Sequence, residues 1–305
     1  MILSILTVAA LVAFAANSLL CRLALGAGRI DAATFTTVRL VSGTVTLFAI
    51  LALTQRERFR TARVRRAGAN AWLAGALLFL YAAPFSFAYL DLSAGTGALL
   101  LFGAVQATMI AAGLVSGERP RPREWLGLLL AIAGLVMLVL PGLTAPAPFA
   151  AALMLGAGVA WGRYSLLGRG APDPLFETAR NFALASIPAL ALSAFALVIG
   201  SPFGAGSTLE TGPVTALRPH VTAQGIGLAI ASGAVASGLG YVAWYAALRS
   251  LSATRAATLQ LAVPVLAATG GVLFLGERVG WRLVASAVLI LGGVALAVTV
   301  PARRS

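Results

Sequence analysis

The chain is short of the groups that do chemistry in water. Its 305 residues include one cysteine (Cys21), one histidine (His220), nine acidic residues and no lysine. A single cysteine excludes an internal disulfide, and one cysteine with one histidine cannot complete a zinc site. An intramembrane enzyme needs a nucleophile beside a base or a set of metal ligands, and the chain offers only Cys21 next to Arg22 and a histidine near a loop. The chain is therefore read as no enzyme, with no metal and no cofactor. Charge is scarce as well: 10% of residues are charged against 60% hydrophobic, and the mean hydropathy is +0.94. A soluble fold of this composition has too little polar surface to cover its core, whereas a bilayer solvates an apolar exterior directly. The composition is that of an integral membrane protein.

What charge exists is basic. The net charge is +13, and all 22 basic residues are arginine. They cluster between apolar runs and form no stripe interleaved with aromatics, so they read as topology determinants and not as a nucleic-acid surface. The charge-free runs are Met1–Cys21, Leu40–Gln55 extended back through Ala33, Ala67–Leu90, Leu92–Gly117, Trp125–Gly162, Asn181–Leu209, Pro219–Leu248, Ala256–Gly276 and Leu283–Ala302. Each is long enough to cross a hydrocarbon layer as a helix. Trp125–Gly162 is too long for one span and carries Pro141-Gly142, Pro146 and Pro148 in its middle, so it is split in two. The expected fold is all-α, a polytopic membrane protein of ten transmembrane helices. Met1–Leu20 contains Ala13-Phe14-Ala15, a signal-peptidase-like pattern, but no basic segment precedes it, and it is read as the first span. Placing the N-terminus in the cytoplasm puts 15 arginines inside and 5 outside, Arg22 and Arg29 among the latter, with Arg39 and Arg180 within spans. Both termini are accordingly assigned to the cytoplasmic side of the inner (plasma) membrane.

The second half of the chain repeats the first. Ser93-Ala94 recurs as Ser252-Ala253, and Gly117-Glu118-Arg119 as Gly276-Glu277-Arg278, both 159 positions on. Each Gly-Glu-Arg is followed by a Trp opening the next span, Trp125 or Trp281, and Phe35 with Arg39 recurs as Phe176 with Arg180, 141 positions on. The units are taken as 1–145 and 146–305. An odd number of spans re-enters the membrane from the opposite side when repeated, so the two five-helix units are expected to be inverted.

Ten spans, the duplicated Gly-Glu signature, the helix-opening Trp and the early-helix Arg together resemble the drug/metabolite transporter superfamily, in its duplicated EamA-type branch, over essentially the whole chain. One departure is a mid-helix proline present as Pro264 but replaced by Val105 in the first half. The resemblance implies a carrier for small molecules, and the aromatic profile is similar to that of aromatic amino-acid exporters.

All nine acidic residues lie in loops or at helix ends, which leaves ion coupling unsupported and favours a uniporter or exchanger. Near the expected midplane the candidates for substrate binding are Asn17, Tyr81, Phe85, Gln106, Trp161, Tyr164, Trp244, Tyr245 and Gln260. Amides are costly in hydrocarbon unless partnered and so face the bundle interior. Helical spacing sets Tyr81, Phe85 and Tyr89 on one stripe. Aromatic walls with few polar groups suit a flat, partly apolar solute such as an amino acid or related metabolite. Pro84, Gly238, Gly240 and Pro264 are the expected hinge or kink positions, and Glu118 and Glu277 are read as ion-pair or helix-end residues.

Overall fold

The computed structural model describes residues 2–56, 68–115, 122–139, 146–169, 171–200, 220–251, 256, 259–260 and 262–298. These form the helices α1 (Ile2–Leu25), α2 (Ala32–Thr54), α3 (Ala69–Ala88), α4 (Ala94–Val115), α5 (Pro122–Val139), α6 (Pro148–Gly168), α7 (Pro174–Gly200), α8 (Ala223–Leu248), α9 (Ala262–Leu275) and α10 (Trp281–Val298). No strand occurs among the described residues, only an isolated bridge between Ile30 and Val221. Seven helices (α1 to α4 and α6 to α8) are long and apolar enough to cross a membrane, while the apolar stretches of α5, α9 and α10 are shorter. The chain is a multi-pass membrane protein. Leu53, Phe149, Leu197 and Phe274 are exposed, as the lipid-facing side of such a bundle requires.

Local signals set several ends. Asp31 caps α2 by accepting from Thr34 N at 2.8 Å, Thr222 caps α8 through Gly225 N at 3.0 Å, and Pro148 opens α6 where its missing N–H costs nothing. α7 starts at Pro174, seven residues before the charge-free run does. Glu177 and Arg180 pair one turn apart within it, which lets two charges ride on an apolar helix. Likewise α6 runs past Arg163 to Gly168, and Arg163, expected in a loop, is an exposed residue of that helix. Arg22, also expected in a loop, lies in the last turn of α1. The turn at Pro141-Gly142 and the arginine-rich stretch 57–67 lie outside the described residues.

Matching α1 to α5 in order with α6 to α10, the most extensive helix contacts map onto one another when the halves are exchanged. The pairs α2 with α7, α4 with α9 and α5 with α10 are their own counterparts. α3 against α6 mirrors α8 against α1, α2 against α8 mirrors α7 against α3, and α4 against α6 mirrors α9 against α1. Glycine permits the closest of these approaches: a Cβ at Gly233 would lie 2.0 Å from the Arg39 carbonyl oxygen, and one at Gly158 2.4 Å from that of Leu101.

Candidate functional site

Where α1, α2, α3, α6 and α8 meet, a buried polar network surrounds Arg39. The side chain lies about two turns, or ~10 Å, along α2, and is 1% exposed. Its Nε donates to Ser237 Oγ at 2.9 Å, and its Nη2 donates to the hydroxyls of Tyr81 at 3.1 Å and Tyr241 at 2.9 Å. Its carbon Cζ stands 5.2 Å from the Tyr81 ring centroid and 5.1 Å from that of Phe85. Nη1 is buried with no hydrogen-bond partner among the described residues. Asn17 ties the network to α1: its Nδ2 donates to Tyr81 OH at 3.2 Å, and its Oδ1 accepts from Ser232 Oγ at 2.6 Å and Ser237 Oγ at 3.3 Å.

Two serines five positions apart converge on one amide oxygen because Ala231–Leu239 of α8 is a π-helix. An α-helix would set them on different faces, whereas π geometry with its i→i+5 bonding brings them onto one. Gly233 and Gly238 share that spacing, and both lie against α2.

Aromatic rings close around the network. Trp161 lies 4.6 Å from Tyr241 and 5.0 Å from Tyr81, Phe14 lies 5.5 Å from Trp161 and 5.6 Å from Trp244, and Phe182 lies 5.6 Å from Tyr241, all between centroids. Trp161 Nε1 donates to Gln260 Oε1 at 3.3 Å, while Trp244 Nε1 and Gln260 Nε2 are buried with no partner among the described residues. Tyr164 and Tyr245 extend the cluster beyond Trp161. Their rings are 5.4 Å apart, Tyr245 OH donates to the Tyr164 carbonyl at 3.3 Å, and Asn181 Nδ2 donates to Tyr164 OH at 3.4 Å.

Of the residues singled out in the sequence, Asn17, Tyr81, Phe85, Trp161, Tyr164, Trp244, Tyr245 and Gln260 thus share one connected cluster. Gln106 is buried in α4. Tyr89, which sequence position favours as an interfacial ring, is fully buried and stacks edge-on against Phe85 at 4.7 Å. Pro84 lies inside α3, Gly238 lies in the π stretch and Gly240 caps it. Pro264 lines a different feature, an apolar groove of about 590 Å³ among α4, α9 and α10 that includes Gly95, Leu99 and Leu283. Sequence reasoning misses Arg39, Phe14, Phe182, Ser232 and Tyr241 as site residues. An arginine inside an apolar run was the one local signal pointing to them.

A second polar cluster holds one end of the bundle. Gly276 takes φ +64°, a conformation that favours glycine and stops α9, and it turns Glu277 toward the start of α4. The Glu277 carboxylate accepts from Ala94 N through both oxygens, at 2.8 and 3.0 Å, and lies 3.6 Å from Arg22 Nε. Arg22 Nη1 in turn donates to the carbonyls of Tyr89 at 3.0 Å and Leu90 at 2.9 Å. An anion thus meets a helix start and a cation meets a helix end, the favourable sense for both dipoles. This agrees with the reading of Glu277 as a helix-end ion-pair residue; Glu118 lies outside the described residues.

A polytopic helical bundle with a buried polar and aromatic centre is an architecture that small-molecule carriers use. This chain belongs to the EamA-like transporter family, whose model matches residues 1–140 and 148–299. It is 49% identical over 294 residues to "Uncharacterized protein PA1977" of Pseudomonas aeruginosa, covering 96% of this chain and 93% of that protein. In fold it is similar to a crystal structure described only as that of a protein, with TM-score 0.60, 21% identity and 95% of each chain covered.

Proposed function

We propose that the protein exports small amphipathic metabolites, amino acids including aromatic ones, across the inner membrane by alternating access, as a uniporter or exchanger. The observation that carries this reading is the cluster around Arg39, Asn17, Tyr81 and Trp161, in which side chains from both halves of the chain converge on one buried point. In this account the chain has ten spans, in two inverted five-helix repeats at 1–145 and 146–305, with both termini cytoplasmic. The main helix contacts, which map onto one another when the halves are exchanged, support it, because a machine that presents one site to two faces in turn needs two equivalent arrangements of the same contacts. Substrate-binding roles fall to Asn17, Tyr81, Phe85, Gln106, Trp161, Tyr164, Trp244, Tyr245 and Gln260. Pro84 and the π stretch that holds Gly238 are the segments that bend.

The test is counterflow in proteoliposomes preloaded with unlabelled tryptophan and given labelled tryptophan or phenylalanine outside. Uptake above that of empty liposomes is expected, and Trp161→Ala should cut it at least about tenfold while the protein still purifies folded. No exchange of any amino acid removes the substrate claim, and unchanged exchange in both Trp161→Ala and Gln106→Ala removes the site assignment.

A further inference from the structure

We infer that Arg39 recognises a carboxylate of the transported solute, so the carrier is selective for monoanionic or zwitterionic acids attached to a flat apolar body. This rests on the central cluster being the substrate site. A guanidinium keeps its charge at any physiological pH, and taking it out of water is costly unless an opposite charge comes with it. Among the described residues no acidic side chain pairs with Arg39, whose three hydrogen bonds all go to neutral hydroxyls. Its Nη1 is buried and has no hydrogen-bond partner among the described residues. The side chain is therefore held in place and oriented, yet its charge is not cancelled.

The repeat shows what is missing. Arg180 occupies the position 141 residues on, its guanidinium over Phe176 at 5.5 Å from the centroid, and it is bonded to Glu177. The residue matching Glu177 at the same offset is Thr36, whose hydroxyl donates to the Ala32 carbonyl of its own helix at 2.8 Å. One half carries its counter-ion in the sequence and the other does not. A carboxylate on the Arg39 fork would restore that charge balance, with Nη1 supplying the donor and Tyr81 or Tyr241 OH released to follow. The rest of such a solute would then lie against Trp161, whose ring is 5.0 Å from Tyr81 and 4.6 Å from Tyr241. A single buried guanidinium balances one negative charge, which selects against phosphate dianions.

The experiment compares probes with and without the carboxylate and with and without the amine. Thermal unfolding of the full chain in detergent is measured with L-phenylalanine, 3-phenylpropionate, L-phenylalaninamide and phenethylamine, and the same compounds compete against labelled phenylalanine in counterflow. The two acids should stabilise the protein, with the amide and amine at least about tenfold weaker. Arg39→Gln should erase that preference, and Arg39→Lys should weaken binding but keep the order. Equal binding of acid and amide to the wild-type protein overturns the inference without recourse to any variant, as does a preference that survives Arg39→Gln. Absence of stabilisation by either acid at millimolar concentration overturns it too. If phenylalanine exchanges while the amide competes equally, only the carboxylate role fails. If 3-phenylpropionate stabilises through Arg39 but no amino acid is moved, the anion site stands and the amino-acid reading falls.

Discussion

Glu277→Gln should destabilise the protein by an amount that the geometry bounds. The substitution keeps the shape and one oxygen able to accept from Ala94 N, but removes the charge that faces both that N–H and Arg22. Loss of charge assistance in a hydrogen bond costs about 1 kcal/mol. Loss of an anion at a helix start costs roughly 0.3–1 kcal/mol. Arg22 and Glu277 are partly exposed, 26% and 16%, so their pairing adds at most about 1 kcal/mol. The total is about 1–3 kcal/mol, a fall of several degrees in Tm at ~2–4 °C per kcal/mol for a chain of this order of size. Intrinsic tryptophan fluorescence of the detergent-solubilised protein during heating measures it. Arg22→Gln should fall comparably, and the double variant by less than the sum, because both act through one cluster. Strict additivity, or a Tm unchanged in Glu277→Gln, would refute the idea that these groups form a clasp.

Gly233→Ala places a Cβ 2.0 Å from the Arg39 carbonyl oxygen and 2.2 Å from Ser42 Oγ, whereas Gly227→Ala meets nothing within 4 Å. The first should cost about 1–3 kcal/mol by overpacking and the second should be neutral or better, read as paired Tm values. Gly276→Ala, at φ +64°, should lower Tm by straining the left-handed turn by about 1 kcal/mol. Because the described acidic residues lie at helix ends and in loops, amino-acid exchange in proteoliposomes should continue when a protonophore collapses an imposed proton gradient. Its arrest would refute exchange without proton coupling.

How far the sequence could be read depended on whether a residue's partners are local. The helical, membrane-spanning character follows from apolar runs that any local window detects, and the aromatic stripe Tyr81-Phe85-Tyr89 follows from helical spacing. Glu277 could be placed at a helix end from its neighbours, but not against Ala94, which is 183 positions away. Arg39 is legible as an arginine within a span, but its partners Tyr81, Tyr241 and Ser237 are 42, 202 and 198 positions distant. Ser232 and Ser237 look unrelated at α-helical spacing, and only the π stretch makes them neighbours. Charge alone marks run boundaries and so places Arg22 and Arg163 in loops, whereas a helix end tolerates a cation that reaches carbonyls or water.

The account depends on a buried centre that opens to each side of the membrane in turn. Ser237, fully buried beside Arg39, reports on it directly when changed to cysteine in a Cys21→Ala background. Membrane-impermeant thiol reagents should label Ser237→Cys in right-side-out vesicles and, separately, in inside-out vesicles, with substrate altering both rates. Labelling from one side alone, or from neither, would contradict alternating access at this site.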